Sequence, residues 1–205
     1  MYIPKLYRNH ELPEIEKFLQ QHSFATLIST HEGKHWATHL PLELEVNAQG
    51  EKVLWGHLSR ANPQWKTFPE NKEVMAVFMG PHAYISASWY DHVNVPTWNY
   101  IAVHVYGKIK LLEGEQLQEA LRRLVNKYEV HSKNPVSMDT MPKEFVQKEM
   151  KGVVGFEISI DRMEGAWKLS QNRDDHNYKN IIKALEDLME LNAGVVASVM
   201  KKMRS

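Results

Sequence analysis

Two short polar clusters carry the side chains that bind anions in proteins. The first is Ser59-Arg60-Ala61-Asn62-Pro63-Gln64, which runs from a predicted strand into a predicted short helix. A helix N-terminus offers unpaired N–H groups, Ser59 and Asn62 can donate hydrogen bonds, and Arg60 can hold two phosphate oxygens at once. The segment therefore predicts an anion site. The alternative is that Ser59 or Asn62 caps the helix and Arg60 is solvated.

The second cluster, Lys168-Leu169-Ser170-Gln171-Asn172-Arg173, follows the last predicted strand. Two cations and three neutral hydrogen-bonding groups within six residues can hold a phosphate or the polar edge of a ring. The same composition is also typical of an ordinary solvated turn.

A third polar pair, Thr38-His39, lies in a predicted strand just before Pro41. Neighbouring side chains of a strand face opposite sides, so one of the two at most points inward. Taken alone, His39 is typical of a structural histidine that packs and hydrogen-bonds as neutral imidazole.

Aromatic residues crowd the segment from Gly80 to Gly107, which we interpret as a connection between strands. Tyr84, Trp89, Tyr90, Trp98 and Tyr100 have large apolar faces with polar edges. Such rings favour a flat ligand or a partner subunit over water. The alternative is that they cap the core.

Composition excludes several classes of protein. The chain has no cysteine, so disulfides, thiolate metal sites and cysteine nucleophiles are absent. Its formal net charge is +0, without the basic excess of most nucleic-acid binders. His35 and His39 lie four apart in a strand, which is not a metal-ligand spacing, and no nucleophile elbow, dinucleotide or phosphate-loop motif occurs. Without a signal peptide or a membrane span, we expect a soluble cytoplasmic protein.

Hydrophobic periodicity predicts the elements that position these clusters. Alternation predicts strands at 24–30, 36–46, 52–58, 74–79, 100–111 and 153–169. Apolar spacing of about 3.6 predicts a first helix that includes Leu12 and Leu19, a short helix at 59–68, and helices at 117–128, 139–150 and 178–203. The helix at 139–150 has Asp139 or Thr140 as its expected cap, and Gly194 is the expected interruption of the last helix.

This order of elements predicts a mainly β, α+β fold with peripheral helices. Hairpin connections with irregularly placed helices favour a closed or split antiparallel barrel over a doubly wound sheet. Because no linker or repeat appears, we expect a single domain over residues 1–205. Its C-terminal helix, about 176–205, is expected to pack on that domain or on a dimer partner.

Five blocks together resemble the PaiB family: ATHLPL, GHLSRANPQW, GPHAYISASWY, VPTWNYIAVHVYG and KLSQNR. The resemblance implies an FMN-binding split barrel, related to pyridoxamine-phosphate oxidase and flavin reductase type proteins, that forms homodimers with flavin between the subunits. It also implies negative transcriptional regulation of degradative enzyme synthesis, proteases included, and of sporulation.

The resemblance gives the clusters a common ligand, FMN. It implies that Ser59, Arg60, Asn62 and Gln64 bind the flavin phosphate. It places Thr38 and His39 beside the isoalloxazine ring. Trp98, Asn99 and Tyr100 would approach from the other subunit, and Lys168, Gln171 and Arg173 belong to the late motif of the family.

The regulatory mechanism stays open at this level. No helix-turn-helix with base-reading side chains is visible, and the basic residues of the helices, Arg122, Arg123, Lys127, Lys201, Lys202 and Arg204, are typical of solvated helix faces. Regulation is then indirect, through a flavin-dependent reaction or a protein partner, or uses a basic surface that a dimer assembles. The alternatives are a flavin-dependent or haem-related oxidoreductase, in which FMN transfers the electrons, and a binding module that has lost the cofactor.

Overall fold

The computed structural model describes residues 1–70 and 73–204 of the chain. Its strands are β1 (Arg8–Asn9), β2 (Phe24–His31), β3 (Lys34–Val46), β4 (Lys52–Ser59), β5 (Val74–Ile85), β6 (Thr97–Leu112) and β7 (Val153–Lys168). Its α-helices are α1 (Leu12–Gln21), α2 (Gly114–Glu129), α3 (Lys143–Lys151), α4 (Asp175–Asp187) and α5 (Leu191–Met203). Short 3₁₀ helices occupy Lys5–Tyr7, Pro63–Glu70 and Ala87–Trp89.

The seven strands are hydrogen-bonded in the order β1-β7-β4-β3-β2-β5-β6, and β6 also pairs with β7. The pairing order therefore returns on itself, as in a barrel. The β2–β3, β3–β4, β4–β7, β2–β5 and β1–β7 registers are all antiparallel. This confirms the mainly β fold with antiparallel hairpins.

Local sequence explains the β2–β3 hairpin. His31 pairs with Lys34, so that the loop is Glu32-Gly33, with φ of 50° and 73°. A two-residue hairpin with positive φ at both loop positions matches the right-handed twist of the strands, and glycine adopts this conformation without strain.

The chain forms two compact units. One comprises Leu19–Val77 and Val105–Met163, and its fully buried side chains include Leu27, Leu42, Leu54, Phe68 and Phe156. The rings of Phe68 and Phe156 meet edge to face, with centroids 5.4 Å apart. The other unit comprises Met1–Phe18, Phe78–His104 and Glu164–Ser205, of which Ser205 lies outside the described residues, and it buries Ile85, Leu169, Ile181 and Leu185. A single domain over 1–205 stays a prediction.

Three sequence expectations were wrong in detail. Gly80–Gly107 is not a connection as a whole, because its two ends lie in β5 and β6 and only residues 86–96 join them. Helix α3 begins at Lys143 after Pro142, and neither Asp139 nor Thr140 caps it. The C-terminal segment, expected as one helix over about 176–205, is two helices. The chain breaks at Leu188–Glu190, where Met189 has φ of 53°, and not at Gly194.

Among the described helices, none combines the length and apolar character that crossing a membrane requires.

Candidate functional site

Arg60 lies between the end of β4 and the 3₁₀ helix Pro63–Glu70, and two distant backbone carbonyl groups hold its side chain in place. Its Nε donates to the Lys151 carbonyl oxygen at 2.8 Å, and its Nη2 donates to that of Val153 at 3.0 Å. Two of the five guanidinium N–H groups are used in this way. Ser59 is exposed beside it, and its Oγ accepts from the Ala61 N–H at 3.2 Å. The segment presents an exposed, oriented guanidinium group.

The Trp65 ring lies close to two cationic side chains. Its Nε1 donates to the Arg60 carbonyl oxygen at 2.9 Å, and the Arg60 guanidinium carbon lies 5.8 Å from the ring centroid. The Lys66 ammonium lies 6.0 Å from the centroid of the same ring. Lys66 was not among the residues predicted from the sequence. Its position next to Trp65, four residues after Asn62, is the sequence feature that indicates it.

Gln64 is fully buried and connects the two neighbouring strands β2 and β3. Its Nε2 donates to Ser29 Oγ at 3.1 Å and to the Leu27 and Trp36 carbonyl oxygens at 3.4 Å. Its Oε1 accepts a short hydrogen bond from the Thr38 hydroxyl. These contacts make Gln64 a residue that orients its neighbours.

Asn62 completes this network at its exposed end. Its Oδ1 accepts from the Gln64 N–H at 3.0 Å, as a helix cap does, and its Nδ2 donates to Thr38 Oγ1 at 2.9 Å. Asn62 and Thr38 are thereby held together with Gln64. Asn62 therefore caps the 3₁₀ helix, as in the alternative that the sequence left open.

His39 points to the side opposite Thr38, as strand alternation predicts. Its Nδ1 lies 2.9 Å from Thr26 Oγ1 on the neighbouring strand, and the side chain is exposed. His35 and Thr30 form the same cross-strand pair at 3.0 Å. Both imidazoles are therefore oriented by a hydroxyl group of the neighbouring strand, and both side chains are exposed.

Within the described ranges, no three His, Cys, Asp or Glu side chains group in a way that could hold a metal ion. His57 follows the strand residue Gly56 on β4, and burial lowers the pKa of its imidazole.

In the other unit, Trp98 forms an exposed aromatic group with residues of β5. Its side chain is 52% exposed, and its ring centroid lies 5.9 Å from that of Tyr84 and 6.1 Å from that of His82. Tyr84 is 47% exposed. Rings that remain this open at the surface of a folded unit offer a flat apolar face to a ligand or a second subunit.

Asn99 is fully buried and connects β6 with the loop after β7. Its Oδ1 accepts from the Ser170 hydroxyl at 3.0 Å, and its Nδ2 lies 3.5 Å from Met200 Sδ. Ser170 is itself buried and has φ of 61°, a left-handed conformation that few residues other than glycine adopt. The buried hydrogen bond holds the loop in this shape.

The remaining residues of the late cluster are also ordered by internal contacts. Lys168 Nζ donates to Thr97 Oγ1 at 2.6 Å. Gln171 closes the turn on itself, because its Oε1 accepts from the Leu169 N–H at 2.8 Å and its Nε2 donates to the Trp167 carbonyl oxygen. The Lys168–Arg173 segment is thus a loop ordered by its own hydrogen bonds and not a loosely solvated turn.

Arg173 lies over the face of Tyr90, with its guanidinium carbon 4.8 Å from the ring centroid. Tyr90 is 8% exposed, and its hydroxyl is buried with no hydrogen-bond partner among the described residues. A buried hydroxyl without a partner is rare in native proteins.

Helix α4 holds the 86–96 connection through Asn177, a contact that sequence reasoning missed. Its Nδ2 donates to Asp91 Oδ1 at 2.9 Å and to Asp174 Oδ2 at 2.8 Å, and its Oδ1 accepts from the Asp91 N–H at 3.1 Å. Asp174 caps α4, and the hydrogen bonds from the Asn177 backbone N–H and side chain lower the pKa of its carboxyl group to about 2. The partners lie 86 positions apart, so no local pattern indicates them.

The chain places the sequence-predicted residues in two clusters, one in each unit. Thr38, Asn62 and Gln64 share one network beside Ser59 and Arg60. The other cluster joins Asn99 to the loop of Lys168, Gln171 and Arg173. His39 and Trp98 are exposed, each beside its own cluster.

Comparison with known proteins shows the family of the chain. The model of a family described as "Putative FMN-binding domain" matches residues 1–162. The chain is 44% identical over 201 residues to the protein named "Protease synthase and sporulation protein PAI 2" of Bacillus subtilis (strain 168), an alignment that covers 98% of this chain and 97% of that relative.

Two solved structures share the fold. The flavocytochrome Anf3 from Azotobacter vinelandii matches with a TM-score of 0.62 and 17% identity, over 87% of this chain and 78% of that chain. The FAD and heme binding protein from Mycobacterium smegmatis matches with a TM-score of 0.61 and 12% identity, over 84% of this chain and 78% of that chain. At these identities the likeness shows the fold, a split β-barrel.

Proposed function

The chain belongs to the PaiB family of FMN-binding split-barrel proteins, and we propose that it is an FMN-binding homodimer that represses degradative enzyme synthesis and sporulation. The observation that carries this proposal is the 44% identity to PAI 2 over 98% of the chain, which spans both residue clusters. The name of that relative refers to protease synthesis and sporulation.

The first cluster fits the phosphate of FMN. The Arg60 guanidinium is exposed and oriented by two carbonyl oxygens, and the Lys66 ammonium lies beside the same indole ring. Two cations and the Ser59 hydroxyl match a phosphate in charge and in hydrogen-bond donors. Ser59, Arg60 and Lys66 would hold that group, while Asn62 and Gln64 fix the segment that carries them.

The exposed rings fit the isoalloxazine system. Trp98 and Tyr84 offer apolar faces to a flat ring. Thr38 and His39 have polar side chains that can hydrogen-bond to the polar edge of such a ring. We propose that the flavin lies between the Thr38–His39 strand of one protomer and the Trp98–Asn99 segment of its partner. Lys168, Gln171 and Arg173 would order that segment. When bound, FMN would supply electron transfer, or a redox-dependent signal, at this interface.

Ion pairing of the basic helix residues supports indirect regulation. Arg123 pairs with Glu45 and Glu119, and Arg122 pairs with Glu119. Lys201 and Arg204 are likewise paired, with Glu186 and Asp175. Cations already neutralised by carboxylates attract DNA phosphates weakly. We therefore propose that the protein acts through its flavin state or a protein partner.

Complementation tests this function. The wild-type chain and its Arg60→Ala variant are expressed in a Bacillus subtilis strain that lacks PAI 2, and secreted protease activity and sporulation frequency are measured. We expect the wild type to lower both and Arg60→Ala to lower them less. Arg8→Ala is the matched control, because Arg8 is also exposed and donates to one backbone carbonyl. A wild-type chain that leaves both readouts unchanged contradicts the proposal.

A further inference from the structure

A cleft of about 510 Å³ lies on α4 and α5, in the part of the chain that follows the matched family segment. Its lining includes four cationic side chains, those of Lys179, Lys183, Lys201 and Arg204. The buried residues Tyr178 and Ile182 also line it. Clefts of this size hold small ligands in other proteins.

The charges of this α4–α5 cleft do not balance. The carboxylate of Asp175 is paired with Arg204 at 2.7 Å, and that of Glu186 is paired with Lys201 at 2.5 Å. Lys179 and Lys183 form no such pair with any residue in the ranges 1–70 and 73–204. The cleft therefore carries an excess of two positive charges.

The position of these two lysines favours a bound anion. They are four residues apart on α4, so they lie on the same face of the helix, and both are exposed. Like charges at this spacing destabilise a helix. An anion between them removes that repulsion, and a phosphoryl group, with a charge close to −2 at neutral pH, matches the excess in the cleft.

We propose that the α4–α5 cleft binds the phosphoryl group of a small phosphorylated ligand. Lys179 and Lys183 hold the phosphoryl oxygens. The Arg204 guanidinium, which covers the buried Tyr178 ring at 3.8 Å from its centroid, lines the same cleft.

Arg204 links the cleft to the loop of the late cluster. Its Nη2 donates to the carbonyl oxygens of Arg173 at 2.6 Å and Gln171 at 3.2 Å, while its Nη1 pairs with Asp175. A phosphoryl group in the cleft competes with Asp175 for this guanidinium. The cleft is therefore placed to act as an effector site that adjusts the Gln171–Arg173 loop.

Titration calorimetry with inorganic phosphate and with glycerol 3-phosphate tests the proposal. The experiment uses the Arg60→Ala protein, so that the first cluster contributes little, at pH 8 and low salt. We expect saturable binding, and a loss of at least about tenfold in affinity when Lys179→Gln and Lys183→Gln are added, because two charge-assisted contacts are removed. Lys179→Arg with Lys183→Arg retains binding. Lys5→Gln with Lys133→Gln, two exposed lysines outside the cleft, is the charge-matched control.

Two outcomes overturn the proposal. One is the absence of saturable binding, or binding that the Lys179→Gln, Lys183→Gln pair leaves unchanged. The other is that a DNA duplex binds through these lysines while both phosphates do not, which identifies a nucleic-acid contact instead. FMN binding by the otherwise wild-type Lys179→Gln, Lys183→Gln protein is measured in parallel. It is expected to be unchanged, so failure of the flavin proposal is distinguishable from failure of this one.

Discussion

Removing the Arg60 side chain is expected to weaken FMN binding while the fold and the dimer persist. A hydrogen bond to a charged group contributes about 1.5–3 kcal/mol, so Arg60→Ala should raise the dissociation constant for FMN by about 10-fold to 150-fold. The lost bonds to Lys151 and Val153 lie at an exposed position, where water replaces the donor. The cost in unfolding free energy should therefore stay within about 1 kcal/mol.

The assay is titration of the flavin-free protein with FMN, followed by quenching of flavin fluorescence, with gel filtration to report the dimer. Arg60→Lys keeps the charge but loses the planar fork and should fall between the wild type and Arg60→Ala. Arg8→Ala should bind as the wild type does. Equal FMN affinity for Arg60→Ala and the wild type would refute the phosphate role of Arg60.

Further predictions concern stability. Gln64→Ala should lower the free energy of unfolding by about 2–4 kcal/mol in urea denaturation, because it leaves several buried polar groups unpaired; a loss below about 1 kcal/mol would contradict the network. Gly107→Ala should cost about 3 kcal/mol or more, since its Cβ would lie 1.9 Å from the Ser159 carbonyl oxygen. Gly194→Ala, with nothing within 4 Å of its Cβ, should instead stabilise α5 by about 1 kcal/mol in the same urea assay. If Gly107→Ala and Gly194→Ala changed the free energy of unfolding in the same direction, this reasoning would be refuted. The pKa of Asp174 is about 2 in the fold and 3.8 unperturbed, so its contribution is present above about pH 4 and is lost as the pH falls towards 2. Asp174→Asn should therefore be less stable than the wild type at pH 7 but nearly equal to it at pH 2, and a stability gap that does not change with pH would contradict this.

Local sequence patterns predicted most of the elements, because hairpins and amphipathic helices depend on neighbouring residues. The Glu32-Gly33 turn and the return of the chain as β7 followed from turn chemistry and alternation. The break at Met189 did not, because Gly194 is the weaker helix former of the two and tertiary packing decides where the helix ends. The predicted strand at 100–111 was shorter than β6, which begins at Thr97. Its first residues include the exposed Trp98, so hydrophobic alternation did not indicate the start of the strand.

The burial of the candidate residues was harder to predict than their grouping in the sequence. Clusters such as the one around Arg60 are visible because their members are adjacent in sequence. The burial of Gln64 and Asn99 was not visible, because it depends on partners more than 20 positions away. The same holds for Asn177, whose partner Asp91 belongs to a distant connection. The sequence alone therefore indicated the polar clusters, but not which of their side chains are buried and which remain exposed.

The central claim, an FMN-binding homodimer, is tested most directly by the absorbance spectrum of the purified protein before and after FMN is added and excess ligand is dialysed away. Sedimentation of the same sample gives its mass. The account predicts one retained flavin per chain, with quenched fluorescence, on a particle of two chains. Flavin that passes entirely into the dialysate at high protein and FMN concentrations, or a particle of one chain, would contradict it.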